Sequence, residues 1–113
     1  GKALVYGIYF DTDSAMVRAE SAEALLAISN LLEAHPELNL YVVGHTDDTG
    51  ATDHNLGLSS RRAEAVVEAL KADYSLGSNR LEAAGVGPYA PVAGNESDEG
   101  RRLNRRVELV RRL

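Results

Sequence analysis

The segment 44–66 constrains the fold most, because it joins the end of an apolar strand, a polar loop and the start of a helix. It contains three acidic residues and two arginines, namely Asp47, Asp48, Asp53, Arg61 and Arg62. In open α/β sheets, ligands bind at the carboxyl ends of strands and beside helix N-termini, where backbone N–H groups are free. We therefore expect this segment to bring acidic and basic groups together in a ligand-binding crevice.

The start of this helix is unusual in its charge. Ser59 predicts an N-cap for a helix over about 60–74. Arg61 and Arg62 would then lie in the first turn, where the helix dipole disfavours cations by a few tenths to about 1 kcal/mol. Such local conflicts tend to mark functional sites. Helical spacing also places Arg61 toward solvent and Arg62 at the edge of the buried face, so Arg62 is predicted to line the crevice.

The remaining hydrophobic pattern predicts an α/β fold. Strands are expected at 3–10, 38–43, 80–86 and 104–112, with a first helix at about 19–34. The βαβαββ order indicates an α/β (α+β two-layer) architecture, in which two main helices pack on a mixed four-stranded sheet. Strand 38–43 is expected to be covered on both faces, because its apolar residues are consecutive. Region 87–103 is predicted to be a long loop.

Length and composition favour one domain, residues 1–113, since 113 residues with 44% hydrophobic content can form one core. The chain has no cysteine, which excludes disulfides and thiolate metal sites. No apolar run approaches the roughly 18 residues that span a bilayer. The chain begins at Gly1 and shows no signal peptide, so we expect a domain excised from a longer, membrane-anchored protein.

The net charge of −5 hides a basic C-terminal segment, which holds six of the twelve basic residues. Such a segment could bind nucleic acid or anionic lipid. Its alternation of arginines with Val107 and Leu109 instead favours an edge strand with solvated arginines, and no nucleic-acid partner is expected. Arg105 and Arg106 are expected to anchor this strand to carboxylates of the earlier segment, such as Asp48 or Asp53.

Catalytic and metal-binding signals are weak. Neither Ser59 nor Ser60 lies in a GxSxG elbow, and no P-loop or dinucleotide fingerprint occurs. The loop after Asp47 does not match the calcium pattern, and a metal site using His45 or His54 has only weak spacing. We expect no enzymatic activity, no metal and no cofactor. His45 is expected to be a strand-end residue hydrogen-bonded to the loop.

Several motifs occur in a fixed order along nearly the whole chain. They are Phe10-Asp11, Thr46-Asp47, Leu58-Ser59, Arg62-Ala63, Val66, Leu70, Gly85, Gly87, Pro91, Asn95, Gly100, Arg101 and Asn104-Arg105-Arg106-Val107-Glu108. In this order they resemble the OmpA-like peptidoglycan-binding domain, the periplasmic module of OmpA-type porins, peptidoglycan-associated lipoproteins and flagellar stator proteins. One departure is His54, where that family commonly has an aromatic residue.

The resemblance implies non-covalent binding of peptidoglycan through the diaminopimelate residue of its stem peptide. The free end of that residue carries an ammonium and a carboxylate, which Asp47 and Arg62 would bind respectively, with help from helix N-terminal N–H groups. The resemblance adds Asp11, Thr12, Asn55, Leu58 and Ser59 as ligand-binding candidates. Asn55 could instead bridge the loop backbone. An intramolecular salt bridge is the alternative role for the Asp47 and Arg62 pair.

The resemblance also implies a periplasmic location at the outer membrane of a Gram-negative bacterium. There the domain would anchor the outer membrane or a membrane complex to the wall, and membrane contact would occur only through segments outside this chain. A homodimer is left open. The alternative is a protein-interaction or oligomerisation module that keeps the fold without a wall ligand. A peptidoglycan-cleaving enzyme would need an acid, a base or a metal that the sequence does not supply.

Overall fold

The structure, a computed structural model, describes residues 3–74 and 78–112. Its elements are β1 (Ala3–Tyr9), α1 (Ala22–Ala34), β2 (Leu40–Gly44), α2 (Thr52–Tyr74), β3 (Leu81–Gly85), α3 (Asp98–Asn104) and β4 (Arg106–Arg111). Short 3-10 turns precede α1 and β3. Each strand boundary lies within two residues of the prediction, because period-two alternation and turn residues mark strands clearly in this sequence.

The four strands form one mixed sheet in the order β1-β4-β2-β3. β4 is antiparallel to both β1 and β2, whereas β2 and β3 are parallel. The predicted mixed four-stranded sheet is therefore confirmed. The prediction that the last strand is an edge strand was wrong, because β4 lies between β1 and β2 and its Val107 and Leu109 are each 1% exposed.

The helices α1 and α2 bury one face of this sheet. Leu40 and Val42 of β2 are fully buried in the core, whereas Tyr41 points to the other face and is 39% exposed. The expectation that β2 is covered on both faces was wrong. Its consecutive apolar residues divide between a helix-covered face and an open face, where the Arg112 guanidinium lies 5.5 Å from the centre of the Tyr41 ring.

Helix α2 begins at Thr52 and not at Ser60. Its first turn contains the acidic Asp53, as the helix dipole favours. The N-cap prediction for Ser59 was therefore wrong, and the conflict expected for two arginines in a first turn does not arise. The first two turns of α2 were missed because they are polar and lack the apolar stripe that marks the rest of the helix.

Two glycines let α2 lie directly on the strand ends. A Cβ at Gly44 would lie 1.9 Å from the backbone oxygen of Ser59, and one at Gly85 would lie 2.4 Å from the Ser60 nitrogen. The Ser59 hydroxyl, which is fully buried, donates to the Leu56 carbonyl at 2.8 Å and accepts from the Gly87 N–H at 2.9 Å. Ser59 thus joins α2 to the segment after β3.

The predicted long loop at 87–103 contains the short helix α3, so that prediction was wrong in part. Ser97 caps α3 by accepting from the Gly100 N–H at 3.0 Å. Before α3, the loop is held by the buried Asn104 amide, which accepts from Val92 and Ala93 and donates to Ala93 and Asn95. Four such bonds from one buried side chain give this loop a defined conformation.

Candidate functional site

A cavity of about 220 Å³ lies where β1 and β2 end and β4 begins, against the first half of α2. It is lined by Thr12, Asp13, Thr46, Asp47, Thr49, Gly50, His54, Asn55, Leu58, Arg62 and Arg105. These residues come from four separate segments, which meet at this end because of the strand order. Five of them have ionisable side chains, so the cavity is an electrostatic site.

Arg62 is the largest fully buried side chain among those whose burial the structure describes, with 1% of its surface exposed. Its Nε donates to the Ser14 carbonyl at 2.8 Å, and its two terminal nitrogens donate to His45 and Asp11 carbonyls at 2.9 Å each. Its guanidinium also lies 5.2 Å from the centre of the Phe10 ring. Arg62 thus ties the ends of β1 and β2 to α2. Burial lowers the pKa of Arg62 to about 10, so the side chain remains charged at neutral pH.

Asp47 is 5% exposed and uses both carboxylate oxygens within the protein. Oδ1 accepts from the Thr49 N–H at 2.9 Å, and Oδ2 accepts from Nη1 of Arg105 at 3.1 Å. Arg105 also donates from Nε to the Phe10 carbonyl at 2.9 Å. Asp47 therefore pairs with Arg105, and no Asp47–Arg62 salt bridge occurs among the described residues. The predicted Asp48 or Asp53 partner for Arg105 was wrong.

Arg106 and His45 lie beneath the site and form a buried cluster with Glu108. Arg106 pairs with Glu108 at 2.8 Å on its own strand, so its predicted Asp48 or Asp53 partner was also wrong. His45 is 3% exposed, and its Nε2 lies 3.5 Å from Glu108 Oε2 without hydrogen-bond geometry. Burial and then the Arg106 charge lower the pKa of His45 to about 4. The prediction that His45 is hydrogen-bonded to the loop through its side chain was wrong, since neither ring nitrogen has a hydrogen-bond partner among the described residues.

Asp13 and His54 form a bridge at the mouth of the cavity. Asp13 Oδ1 lies 2.6 Å from His54 Nε2, and both side chains are more than half exposed. The hydrogen bond and the charge of His54 lower the pKa of Asp13. Asp13 has a φ of 54°, in the left-handed region, which aspartate tolerates better than most residues. Sequence reasoning did not select either residue, although His54 was noted as a departure from the family pattern.

The other predicted site residues divide into two groups. Thr12, Asn55 and Leu58 line the cavity, and the Asn55 amide also donates to the Thr49 carbonyl at 2.9 Å, which is its predicted bridging role. The Asp11 carboxylate turns away to pair with Arg18 at 2.8 Å, so that only its carbonyl reaches the site through Arg62. Ser59 lies behind the cavity, where it joins α2 to the segment after β3.

The arrangement is suited to recognition. Two buried or half-buried guanidinium groups and one buried carboxylate line the interior of a small cavity, and a second carboxylate, that of Asp13, lies at its mouth. Within residues 3–74 and 78–112, no group of three or more His, Asp or Glu side chains is placed to hold a metal ion. No helix in that part of the chain is long and apolar enough to cross a membrane.

Comparison with known proteins identifies the family. The model of the OmpA family matches residues 9–105. The chain is 36% identical over 103 residues to the probable lipoprotein YiaD of Escherichia coli, covering 91% of this chain and 47% of that protein. It is 35% identical over 103 residues to the peptidoglycan-binding protein ArfA of Mycobacterium tuberculosis, covering 91% and 31%. This chain thus spans less than half the length of either relative.

A solved structure agrees with the sequence comparisons. The crystal structure of the peptidoglycan-associated lipoprotein from Burkholderia pseudomallei matches with a TM-score of 0.86 and 34% identity, covering 93% of this chain and 88% of that one. The matched family region contains every residue that lines the cavity. The resemblance found in the sequence is therefore confirmed, and the chain belongs to the OmpA family.

Proposed function

We propose that this chain binds peptidoglycan non-covalently, by enclosing the free zwitterionic end of diaminopimelate in the 220 Å³ cavity. The observation that carries this proposal is the buried grouping of Asp47, Arg62 and Arg105, because one anion and two cations complement an ammonium and a carboxylate on one carbon. The names of two relatives, a peptidoglycan-binding protein and a peptidoglycan-associated lipoprotein, support the same polymer as ligand.

The ligand carboxylate would lie between the two guanidinium groups. A guanidinium carries five N–H donors. Each of the three Arg62 nitrogens donates one hydrogen bond to a backbone carbonyl. One N–H therefore remains on each of the two terminal nitrogens in the described structure. Arg105 donates from Nε to the Phe10 carbonyl and from Nη1 to Asp47, so its Nη2 can donate to the ligand carboxylate. A bound carboxylate would also supply a salt-bridge partner to Arg62, which has none among the described residues, since Asp47 pairs with Arg105. This role for Arg105 replaces the purely structural one that we predicted from the sequence.

The ligand ammonium would bind Asp47. Each carboxylate oxygen of Asp47 already accepts one bond and can accept another. At 5% exposure, Asp47 lies where the local dielectric strengthens a charged hydrogen bond. Helix α2 begins at Thr52, ten residues before Arg62, so its free N-terminal N–H groups lie away from Arg62. The proposed carboxylate site therefore does not use these N–H groups, in contrast to the expectation from the sequence.

We propose recognition without catalysis, by one wall-binding domain over residues 1–113. In this role the domain would anchor a longer protein, or a complex that contains it, to the wall from the periplasmic side of a Gram-negative outer membrane. Membrane attachment would then lie in segments outside this chain. The rival function is a protein-interaction module that has lost the wall ligand.

The test is co-sedimentation of purified protein with diaminopimelate-type sacculi. We expect wild-type protein to pellet, and free meso-diaminopimelate to release it. Asp47→Asn should stay in the supernatant, because it removes the negative charge that pairs with the ammonium while keeping a side-chain oxygen for Thr49. The matched control is Asp48→Asn, which makes the same charge change at an exposed neighbour and should pellet normally. Wild-type protein that stays in the supernatant would overturn the proposal and favour the interaction module.

A further inference from the structure

A second cavity, of about 240 Å³, lies beside the end of β1. Its lining residues are Tyr9, Arg18, Glu20, Ser21 and Arg102, none of which lines the first cavity. The two cavities are neighbours, because Asp11 bonds to one lining residue of each. Its carbonyl accepts from Arg62, and its carboxylate pairs with Arg18 at 2.8 Å. Asp11 therefore lies between the two cavities.

The charges around the second cavity are already compensated. Arg18 pairs with Asp11 at 2.8 Å and with Glu20 at 2.9 Å. Arg102 donates from two nitrogens to Glu99, at 2.7 and 3.2 Å. An anion would have to compete with three carboxylates, and a cation with two guanidinium groups. This balance disfavours a charged ligand and favours a neutral molecule that both donates and accepts hydrogen bonds.

The remaining walls fit a sugar ring. The Arg102 guanidinium lies over the Tyr9 ring, 5.3 Å from its centre, so the wall is a planar group of donors stacked on an aromatic ring. Ser21 is 3% exposed and lines the cavity, and its side chain makes no capping hydrogen bond to α1. Sugar hydroxyls can donate to Glu20, accept from a guanidinium and do either with a serine. Small-ligand sites commonly combine aromatic surface with a few such polar groups.

We propose that the second cavity is a subsite for a neutral sugar of the glycan strand that carries the stem peptide. This inference rests on the proposed function, since peptide and glycan arrive together only on peptidoglycan. Occupation of both cavities by one molecule makes the second contact intramolecular, which raises affinity without a change in the first site. The protein then contacts peptidoglycan at two subsites, and Asp11 links residues of both.

The experiment compares two probes by isothermal titration calorimetry. One is a disaccharide–tripeptide released from diaminopimelate-type sacculi, and the other is the same tripeptide after its sugars are removed. Wild-type protein should bind the sugar-bearing probe about tenfold more tightly. Arg102→Met keeps the aliphatic stem and should bring the two affinities together while leaving binding of the sugar-free peptide unchanged. Ser21→Ala should reduce the preference in the same direction by a smaller factor.

Arg112→Met is the matched control, because Arg112 lies over the Tyr41 ring at 5.5 Å in the same manner and lines neither cavity. It should keep the wild-type preference. Equal wild-type affinities for the two probes would overturn the sugar subsite and leave the proposed function standing. An Arg102→Met variant that weakens both probes equally would reduce Arg102 to a structural role and also overturn it. Wild-type protein that binds neither probe would overturn both proposals.

Discussion

Replacement of Arg62 by alanine should destabilise the fold as well as abolish ligand binding. The change removes donors from three backbone carbonyls, those of Asp11, Ser14 and His45. An unsatisfied buried acceptor costs about 1–3 kcal/mol. The space left by the side chain adjoins the open cavity, so water can enter and partly satisfy these groups. We therefore expect the free energy of unfolding to fall by about 2–4 kcal/mol, below the simple sum.

The assay is urea unfolding followed by far-ultraviolet circular dichroism. A loss of about 2–4 kcal/mol leaves a domain of ordinary stability folded, with a melting temperature lower by on the order of 10–20 °C. Arg61→Ala is the matched control, because Arg61 is exposed on the same helix, and it should change stability by less than about 0.5 kcal/mol. If Arg62→Ala unfolds at the same urea concentration as Arg61→Ala, the tie between strand ends and α2 does not contribute as we argue.

Three further predictions test other parts of the structure. Gly57→Ala should raise the free energy of unfolding by about 0.5–1 kcal/mol in urea titrations, because Gly57 lies inside α2 and alanine favours a helix. The added methyl group would meet only the flexible Arg61 side chain. An unchanged free energy of unfolding would argue against a helix that begins at Thr52. His45 is neutral in the fold down to pH about 4 and charges near pH 6.5 when unfolded, so stability should be full above pH 6.5 and fall by about 3 kcal/mol toward pH 4. His45→Leu should flatten that part of the pH profile, and an unchanged slope would contradict the assignment. Asn104→Ala removes four hydrogen bonds from a fully buried side chain and should lower the free energy of unfolding by about 2–4 kcal/mol in the same assay. The control Asn30→Ala changes an exposed residue and should cause no measurable loss of stability.

The sequence predicted the architecture well, because its signals are local. Strand alternation and the stop at Pro36 are read from neighbouring residues, and the observed elements agree with them. The start of α2 was missed because a polar helical turn has no hydrophobic period. The interior position of β4 was missed because alternation does not distinguish an edge strand from a strand that is inserted between two others.

The sequence predicted which residues belong to the site better than it predicted their hydrogen-bond partners. Helical spacing correctly separated the buried Arg62 from the exposed Arg61. The partners of Arg62 are backbone carbonyls, which every residue carries, so no side-chain pattern could reveal them. Arg105 reaches Asp47 across 58 positions in the chain, and only the strand order makes them neighbours. The Asp13–His54 bridge likewise joins segments 41 positions apart.

The central claim is that the first cavity recognises both charges of one zwitterion. The most direct measurement is a calorimetric titration with a stem tripeptide that ends in diaminopimelate, alongside two analogues whose free end lacks either the ammonium or the carboxylate. We expect the complete peptide to bind and each analogue to bind at least about tenfold more weakly, because removal of one partner leaves a buried charge unpaired. An analogue that binds as tightly as the complete peptide would contradict the claim.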